Sequence, residues 1–254
     1  MTPAPQSASR PPVLIACSHG TRSAAGREVV EGLRAAVRAA RPGLEVEAAH
    51  VDVHGPFLAD VVERVCTGGD EGGPGRDAVV VPLLLSSGYH VRVDIAQALE
   101  RGHGRAFAAA ALGPDEVITG ILAERLGGFG GAVVLAAAGS SDAQAQADVA
   151  RAAQLLAQRV GRPVTTGFLS AQEPSVADAV AAAGPGPVAV VSYLLAPGVF
   201  SARLDAVGAD LVTAPLGVHP ALVELVLDRY DTATGRRSAT PDPLPAGRSG
   251  HAAG

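Results

Sequence analysis

The stretch VLIACSHG, residues 13–20, places six apolar or small residues directly before a histidine and a glycine. An apolar run of this length that ends in a polar, glycine-containing turn is typical of a strand buried on both faces of a parallel sheet. Similar runs occupy residues 46–53, 78–85 and 106–111, and longer amphipathic segments lie between them. This alternation predicts an α/β fold with a doubly wound parallel sheet. The helices expected between and after these strands cover residues 25–40, 57–66, 93–101 and 114–126.

The same order of elements starts again after a glycine-rich turn at residues 127–131. The strands predicted in this second part cover residues 132–137, 164–168, 188–195 and 210–214. The helices predicted there cover residues 143–160, 175–183 and 220–230, with one more beginning near residue 203.

Glycines at matching places support an internal repeat of whole half-domains. Gly20 is matched by Gly139, which also follows an apolar run, and Gly88 is matched by Gly198 after a second apolar run. The repeat predicts two similar doubly wound parallel-sheet halves with a cleft between them. We expect a disordered N-terminus over residues 1–11, an N-terminal half over 12–127 that carries the active site, a C-terminal half over 128–231 and a disordered tail over 232–254.

Composition excludes several classes of protein. All 20 basic residues are arginine, so neither the lysine of a phosphate-binding loop nor a Schiff-base lysine is available. The net charge of -5 argues against a nucleic-acid partner, and no apolar run approaches the roughly 18 residues needed to cross a bilayer. The two cysteines, Cys17 and Cys66, are too few for a disulfide framework. With no signal peptide at the N-terminus, the sequence predicts a cytoplasmic protein.

Polar side chains follow three neighbouring strands of the predicted first sheet. His19 follows the first strand, Asp52 lies at the end of the second, and His90 follows the third. Because the carboxyl ends of parallel strands meet at one edge, two imidazoles and a carboxylate there make a candidate site for a divalent metal. His50 and His54 flank Asp52 and are expected on the same face of an extended strand. The pattern leaves open whether these five groups bind metal or are polar residues with a structural role.

Two motifs resemble those of a known family. SHGTR at residues 18–22 and VPLLLSSGYHVRVDI at residues 81–95 are similar to the sequences of sirohydrochlorin chelatases, which are type II chelatases. The resemblance implies insertion of Fe²⁺ or Co²⁺ into sirohydrochlorin, for sirohaem or cobalamin biosynthesis, without a prosthetic group. It also implies that His19 and His90 are the active-site histidines. A third metal-contacting position, usually Glu in the family, is Asp52 here, which shortens the reach of the carboxylate by about 1.5 Å.

The resemblance also implies a substrate with eight carboxylates, which arginines near the cleft would bind. Short residues beside the motif histidines would let a flat ring approach the backbone. The residues expected to bind substrate are Gly20, Arg22, Ser86, Ser87, Gly88, Arg92 and Phe200.

The second half lacks the polar set of the first. Ala138 stands at the position matching His19, Ser170 at that of Asp52, and Phe200 at that of His90. We therefore expect a catalytically silent second half that forms the other wall of the cleft, with Phe200 either against the ring or filling the core.

Two alternatives compete with a chelatase that acts on a small-molecule tetrapyrrole. The first is a non-catalytic module that binds a tetrapyrrole or a metal ion, and the second is a hydrolase or phosphatase that uses His19. The residues do not discriminate iron from cobalt, because both ions accept the same ligands. One chain carries both halves, so a monomer suffices, and neither a nucleic acid nor a membrane is expected as a partner.

Overall fold

The structure is a computed structural model that describes residues 10–69, 73–86 and 88–238, apart from the side chains of residues 89, 90 and 236–238. Within these residues, short strands alternate with helices along the chain. The strands are β1 (Val13–Ser18), β2 (Val46–His50), β3 (Ala78–Pro82), β4 (Ala106–Ala108), β5 (Ala132–Ala137), β6 (Val164–Phe168), β7 (Val188–Ser192) and β8 (Leu211–Val212). The α-helices are α1 (Ala24–Ala40), α2 (Leu58–Thr67), α3 (Tyr89–Glu100), α4 (Glu116–Leu126), α5 (Ala143–Val160), α6 (Val176–Ala182), α7 (Val199–Arg203) and α8 (Pro220–Ser238).

The strands form two four-stranded sheets in which all neighbouring strands are parallel. The order is β2-β1-β3-β4 in the first sheet and β6-β5-β7-β8 in the second. The central strands β1 and β5 are buried along nearly their whole length, as their apolar sequences predict. The second sheet repeats the first strand by strand. This confirms the predicted architecture of two similar, doubly wound parallel-sheet halves.

The helices that follow the first strand of each half begin in the same way. Ser23 Oγ accepts a hydrogen bond from the Gly26 N–H (3.2 Å), and Asp142 Oδ1 accepts one from the Ala145 N–H (2.9 Å). Both side chains occupy the N-cap position, where they satisfy N–H groups that have no partner within the helix. Helices α1 and α5 therefore begin close to the carboxyl edges of their sheets. No helix in the described part of the chain is long and apolar enough to span a membrane.

The last helix of each half packs on the sheet of the other half. Helix α4 contacts α5 and β7, whereas α8 contacts α1 and β3. One continuous apolar core joins these helices to both sheets. The predicted boundary at residue 127 follows the sequence repeat, but the packing assigns α4 to the second sheet and α8 to the first.

The end of α8 is anchored on the first half. Asp231 pairs with Arg41, the residue directly after α1 (2.5 Å), and Tyr230 Oη donates a hydrogen bond to the Pro12 carbonyl (2.7 Å). Ala233, one turn further on, is also buried. The expectation of a disordered tail from residue 232 is therefore wrong for residues 232–238, which continue the helix. Residues 1–9 and 239–254 lie outside the described residues.

Several strands end earlier than their apolar runs predict. Strand β2 ends at His50 rather than at residue 53, and β3 ends at Pro82 rather than at residue 85. The leucines that follow β3 are buried or line the cavity between the two halves. Their apolar character is therefore explained by burial and does not indicate a longer strand. Shorter strands than predicted are also found at β4, which ends at Ala108, at β7, which ends at Ser192, and at β8, which covers Leu211–Val212.

Two helices begin earlier than predicted. Helix α3 begins at Tyr89 rather than at residue 93, and α7 begins at Val199, with a 3-10 turn over Leu204–Ala206 where a helix start was expected. Both follow a glycine, Gly88 or Gly198, whose missing side chain supplies no N-cap signal to the sequence. Position 90 therefore lies in the first turn of α3 and not in the preceding loop.

Candidate active site

A cavity of about 410 Å³ lies between the two halves, at the carboxyl ends of their central strands. Loops after β1 and β3 line it from the first half, and loops after β5 and β7 line it from the second. Ligands of parallel α/β proteins bind at this edge of the sheet. Five residues that were predicted to bind substrate or metal line the cavity, namely His19, Gly20, Arg22, Ser86 and Phe200.

The loop after β1 presents His19 to the cavity. Its side chain is exposed, and its carbonyl accepts a hydrogen bond from the Asp52 N–H (3.0 Å). Gly20 follows with φ of +101°, a conformation that residues with a Cβ rarely adopt. A Cβ at this position would lie 2.2 Å from the Asp52 carbonyl oxygen. Glycine is therefore required here, because the loop that carries His19 packs directly on the backbone of Asp52.

Asp52 lies in a tight turn beyond β2. Its carboxylate is exposed and accepts a hydrogen bond from the Val53 N–H (2.6 Å), and Val53 has φ of +71°. The backbone of Asp52 thus adjoins His19, while its side chain is not among the groups that line the cavity. The expectation that His50, Asp52 and His54 share one strand face is wrong, because the strand ends at His50 and the following residues turn.

The motif after β3 lies at the start of α3. Its Ser86 lines the cavity, and Gly88 occupies the N-cap position of the helix. His90 is in the first helical turn, so its backbone is placed close to the cleft, but its side chain lies outside the described residues. Ser87 lies outside them entirely.

The other predicted substrate-binding residues have different surroundings. Arg22 is exposed and lines the cavity, whereas Arg92 on α3 pairs with Asp142 of the second half (Nη2–Oδ2 3.6 Å). Phe200 is half-buried in the cavity wall, with the guanidinium of Arg203 over its ring at 5.6 Å from the centroid. This spacing is that of a cation–π contact.

A buried histidine supports the loop that carries His19. His50 is 6% exposed, and its Nδ1 shares a hydrogen bond with Ser18 Oγ (2.8 Å), the residue directly before His19. Burial, and after it the charges of Arg34 and the neighbouring His54, lower the pKa of His50 from 6.5 to about 4. The ring of His54 lies 4.1 Å from that of His50. His50 is therefore neutral at pH 7 and forms part of the protein interior.

Arg34 is a buried residue near the site that the sequence did not reveal. Its Nη2 donates hydrogen bonds to the carbonyls of Ala16 on β1 and Ala49 on β2 (2.9 Å each). Burial lowers the pKa of its guanidinium, and the carboxylate of Glu31 opposes that change. The one signal in the sequence was that the helical spacing places Arg34 on the apolar face of α1. An arginine in a predicted helix is easily taken for an ordinary surface residue. Arg34 thus ties β1 to β2 close to the ends of the two strands.

Tyr193 joins the two halves at the cavity. It is 3% exposed, and its hydroxyl donates a hydrogen bond to the Leu85 carbonyl of the first half (2.8 Å). Burial raises the pKa of this hydroxyl, so it stays protonated and remains a donor. In the sequence, Tyr193 lies within an apolar run and is indistinguishable from a core residue.

The second half repeats the backbone of the site without its ionisable groups. Gly139 has φ of +90°, and a Cβ there would lie 1.8 Å from the Ser170 carbonyl oxygen. Gly20 and the Asp52 carbonyl are related in the same way. Ala171 has a positive φ of 55° at the place of Val53. Ser170 Oγ donates to the Ala138 carbonyl (2.8 Å), so its side chain is satisfied within the loop.

Metal-binding groups are sparse around the cavity. Within the described part of the chain, which leaves out the His90 side chain, no three His, Cys, Asp or Glu side chains are close enough together to hold a metal ion. The ring of His19 is therefore the ligand-type side chain that the described structure presents to the cavity.

Comparison with solved structures shows the same fold in metal-chelating proteins. SirB from Bacillus subtilis with Fe³⁺ has a TM-score of 0.76 at 21% identity, over 90% of this chain and 98% of that chain. The sirohydrochlorin chelatase SirB from Bacillus subtilis subspecies spizizenii in complex with cobalt has a TM-score of 0.71 at 20% identity, over 90% and 98%. CbiX, the terminal enzyme for biosynthesis of siroheme in denitrifying bacteria, has a TM-score of 0.65 at 20% identity, over 87% and 99%.

Sequence comparison gives the family. A search of curated proteins finds no significant match. The family model CbiX, in contrast, matches residues 13–128 and 132–233, which include both halves and both motifs. The chain therefore belongs to the CbiX family.

Proposed function

We propose that this protein is a sirohydrochlorin chelatase that inserts Fe²⁺ or Co²⁺ into the ring as a step towards sirohaem or cobalamin. The observation that carries the proposal is the family match across both halves, combined with a cleft at which His19 of the first motif is presented. The metal ion is a substrate, and no prosthetic group takes part.

His19 and His90 are proposed to hold the incoming ion and to accept protons from the ring. Insertion removes two pyrrole N–H protons, and a neutral imidazole can accept a proton. An imidazole also binds borderline ions such as Fe²⁺ and Co²⁺. A sparse set of ligands suits this chemistry, because the protein must release the ion into the macrocycle rather than retain it.

The cleft is proposed to hold the ring between the two halves. Gly20, Ser86, Ser87 and Gly88 would let the flat ring approach the backbone of the first half, and Phe200 would contact it from the second. Arg22 and Arg92 would bind its carboxylates, since the planar guanidinium matches carboxylate geometry. The carboxylate of Asp52 would assist in binding the metal.

Turnover tests the proposal. The protein is incubated anaerobically with sirohydrochlorin and Co²⁺ or Fe²⁺, and the absorption change is followed with time. We expect many turnovers per protein molecule. A spectral change limited to one equivalent of protein would identify a binding module instead, and no change would reject both functions.

Asp52 is expected to act through metal affinity. Asp52→Ala should raise the metal concentration required for half-maximal rate by at least about tenfold, because one charged ligand is lost, while excess metal should restore most of the rate. The measurement is the insertion rate as a function of Co²⁺ concentration. Asp52→Glu, which restores the side-chain length usual in the family, serves as the matched variant. A rate that stays low in Asp52→Ala at saturating metal would contradict this role.

The protein is expected to have one metal site per chain. Ala138, Ser170 and Phe200 replace the three candidate metal-binding groups in the second half, so titration with Co²⁺ should find a single tight site. The His19→Ala, His90→Ala double variant should lose that site. A tight site that survives in the double variant would show that the second half also binds metal.

The cellular setting is also a proposal. Both cysteines are free and buried, which suits a reducing compartment, and we infer a cytoplasmic protein. A single chain supplies both walls of the cleft, so a monomer suffices for activity. The net charge of -5 supports a protein that acts on a small molecule and not on nucleic acid or a membrane surface.

A further inference from the structure

An ion pair connects the two halves beside the cavity. Arg92 of α3 and Asp142 at the start of α5 approach to 3.6 Å between Nη2 and Oδ2. Their side chains are 41% and 19% exposed, so water reaches the pair. Gly88, just before α3, also faces this part of the second half, because a Cβ there would lie 3.5 Å from Ser140 Oγ. The pair therefore lies where the beginnings of α3 and α5 meet.

Asp142 is held in place by its own half. Its Oδ1 accepts a hydrogen bond from the Ala145 N–H (2.9 Å), and its backbone N–H donates to Ser140 Oγ (3.1 Å). One carboxylate oxygen thus caps α5, and the other is directed to Arg92. Helix capping thus fixes one of the two oxygens of this carboxylate.

The contact between the two charges is loose. A strong hydrogen bond between a guanidinium and a carboxylate measures about 2.7–2.9 Å, well below the 3.6 Å found here. Ion pairs that water reaches contribute little to stability. A carboxylate that approached Arg92 closely, through two parallel hydrogen bonds, would therefore replace Asp142 at small cost.

We propose that Asp142 occupies, before the ring binds, the place on Arg92 that a carboxylate of the ring takes on binding. Asp142 is then a residue that tunes ligand affinity through Arg92, and it comes from the half that carries none of the candidate histidines. It keeps Arg92 neutralised until a ligand with carboxylates arrives, and it lowers the affinity for every such ligand. This inference rests on the proposed function, since it takes a carboxylated tetrapyrrole as the ligand.

Asp142→Asn tests the inference, because asparagine caps helices as well as aspartate does and α5 should remain intact. The measurement is the Kd for metal-free sirohydrochlorin, from fluorescence titration, with KM and kcat for Co²⁺ insertion. We expect Asp142→Asn to lower Kd and KM by about threefold, since the competing carboxylate is lost, and to leave kcat nearly unchanged. Arg92→Gln should raise both Kd and KM.

The double variant Arg92→Gln, Asp142→Asn separates competition for Arg92 from a general effect of charge. We expect it to bind like Arg92→Gln alone, because Asp142 acts through Arg92. Glu63→Gln is the matched control, since it removes a carboxylate from the exposed pair with Arg101 at the other end of α3 (3.1 Å) and should leave Kd unchanged.

Two results would overturn the inference. One is an unchanged or raised Kd in Asp142→Asn, and the other is the same gain in affinity whether or not Arg92 is present. If wild-type protein turns over normally but Asp142→Asn shows no gain in affinity for the ring, this inference alone is rejected. Wild-type protein that neither binds nor metallates the ring would reject the proposed function, and the inference with it.

Discussion

Replacing His19 by alanine should reduce the rate of metal insertion by about 10²-fold or more, because a lost proton acceptor costs that factor in general base catalysis. The fold should be retained, since His19 is exposed in a loop that is held by Ser18, Gly20 and the backbone of Asp52. His90→Ala is expected to have an effect of the same size. The measurement is the initial rate of Co²⁺ insertion at saturating metal and saturating ring.

His103→Ala is a suitable control for these two variants. His103 is also exposed and belongs to the first half, but it lies in the turn after α3 and away from the cavity lining. It should retain the wild-type rate. Wild-type rates in His19→Ala or His90→Ala, with the metal in excess, would refute the role of the residue concerned.

Acid should destabilise the protein through His50. Its pKa in the folded state is about 4, below the ordinary value of 6.5, so between these values the unfolded chain takes up a proton that the folded protein does not. The contribution of the neutral His50 ring to the free energy of unfolding is complete above pH 6.5 and is lost as the pH falls towards 4. By pH 5 the loss amounts to about 2 kcal/mol of the free energy of unfolding.

Urea unfolding at pH 7.5 and pH 5 measures this loss. His50→Gln keeps a hydrogen-bonding group near Ser18 Oγ but has no proton to gain. The decrease in its free energy of unfolding between the two pH values should therefore be smaller than that of wild type by about 2 kcal/mol. His103→Asn, at an exposed position, should keep the wild-type pH dependence. An equal pH dependence in His50→Gln and wild type would show that another group causes the acid sensitivity.

The fold class could be predicted because burial on both faces leaves a direct record in the sequence. The run at residues 13–18 is unbroken by charge and is buried as strand β1, and the same is true of β5. Matching glycines at Gly20 and Gly139 reported the repeat, because each adopts a positive φ against a neighbouring carbonyl where a Cβ would collide. The glycine itself is readable in the sequence, although the carbonyl that makes it necessary, of Asp52 or Ser170, lies far along the chain.

The candidate site could be predicted in outline only. His19, Gly20, Arg22, Ser86 and Phe200 line the cavity as expected, since residues after parallel strands converge at one edge. The sequence did not show that His50 is buried and Asp52 is exposed, because both residues lie within one short polar stretch. A hydrogen bond from the His50 N–H to the Pro56 carbonyl (2.9 Å) closes the turn that buries one residue and exposes the other.

The sequence by itself determined the order of elements and the internal repeat, since these depend on local burial and steric limits. Tertiary structure decided which sheet each terminal helix covers. Helices α4 and α8 carry buried apolar residues that can pack on either sheet. Contacts between residues distant in sequence, among them Arg229 with Asp115 (2.7 Å), accompany the observed arrangement. It also decided that Arg92 meets Asp142, because a contact between two halves depends on how they dock and leaves no periodic pattern in the chain.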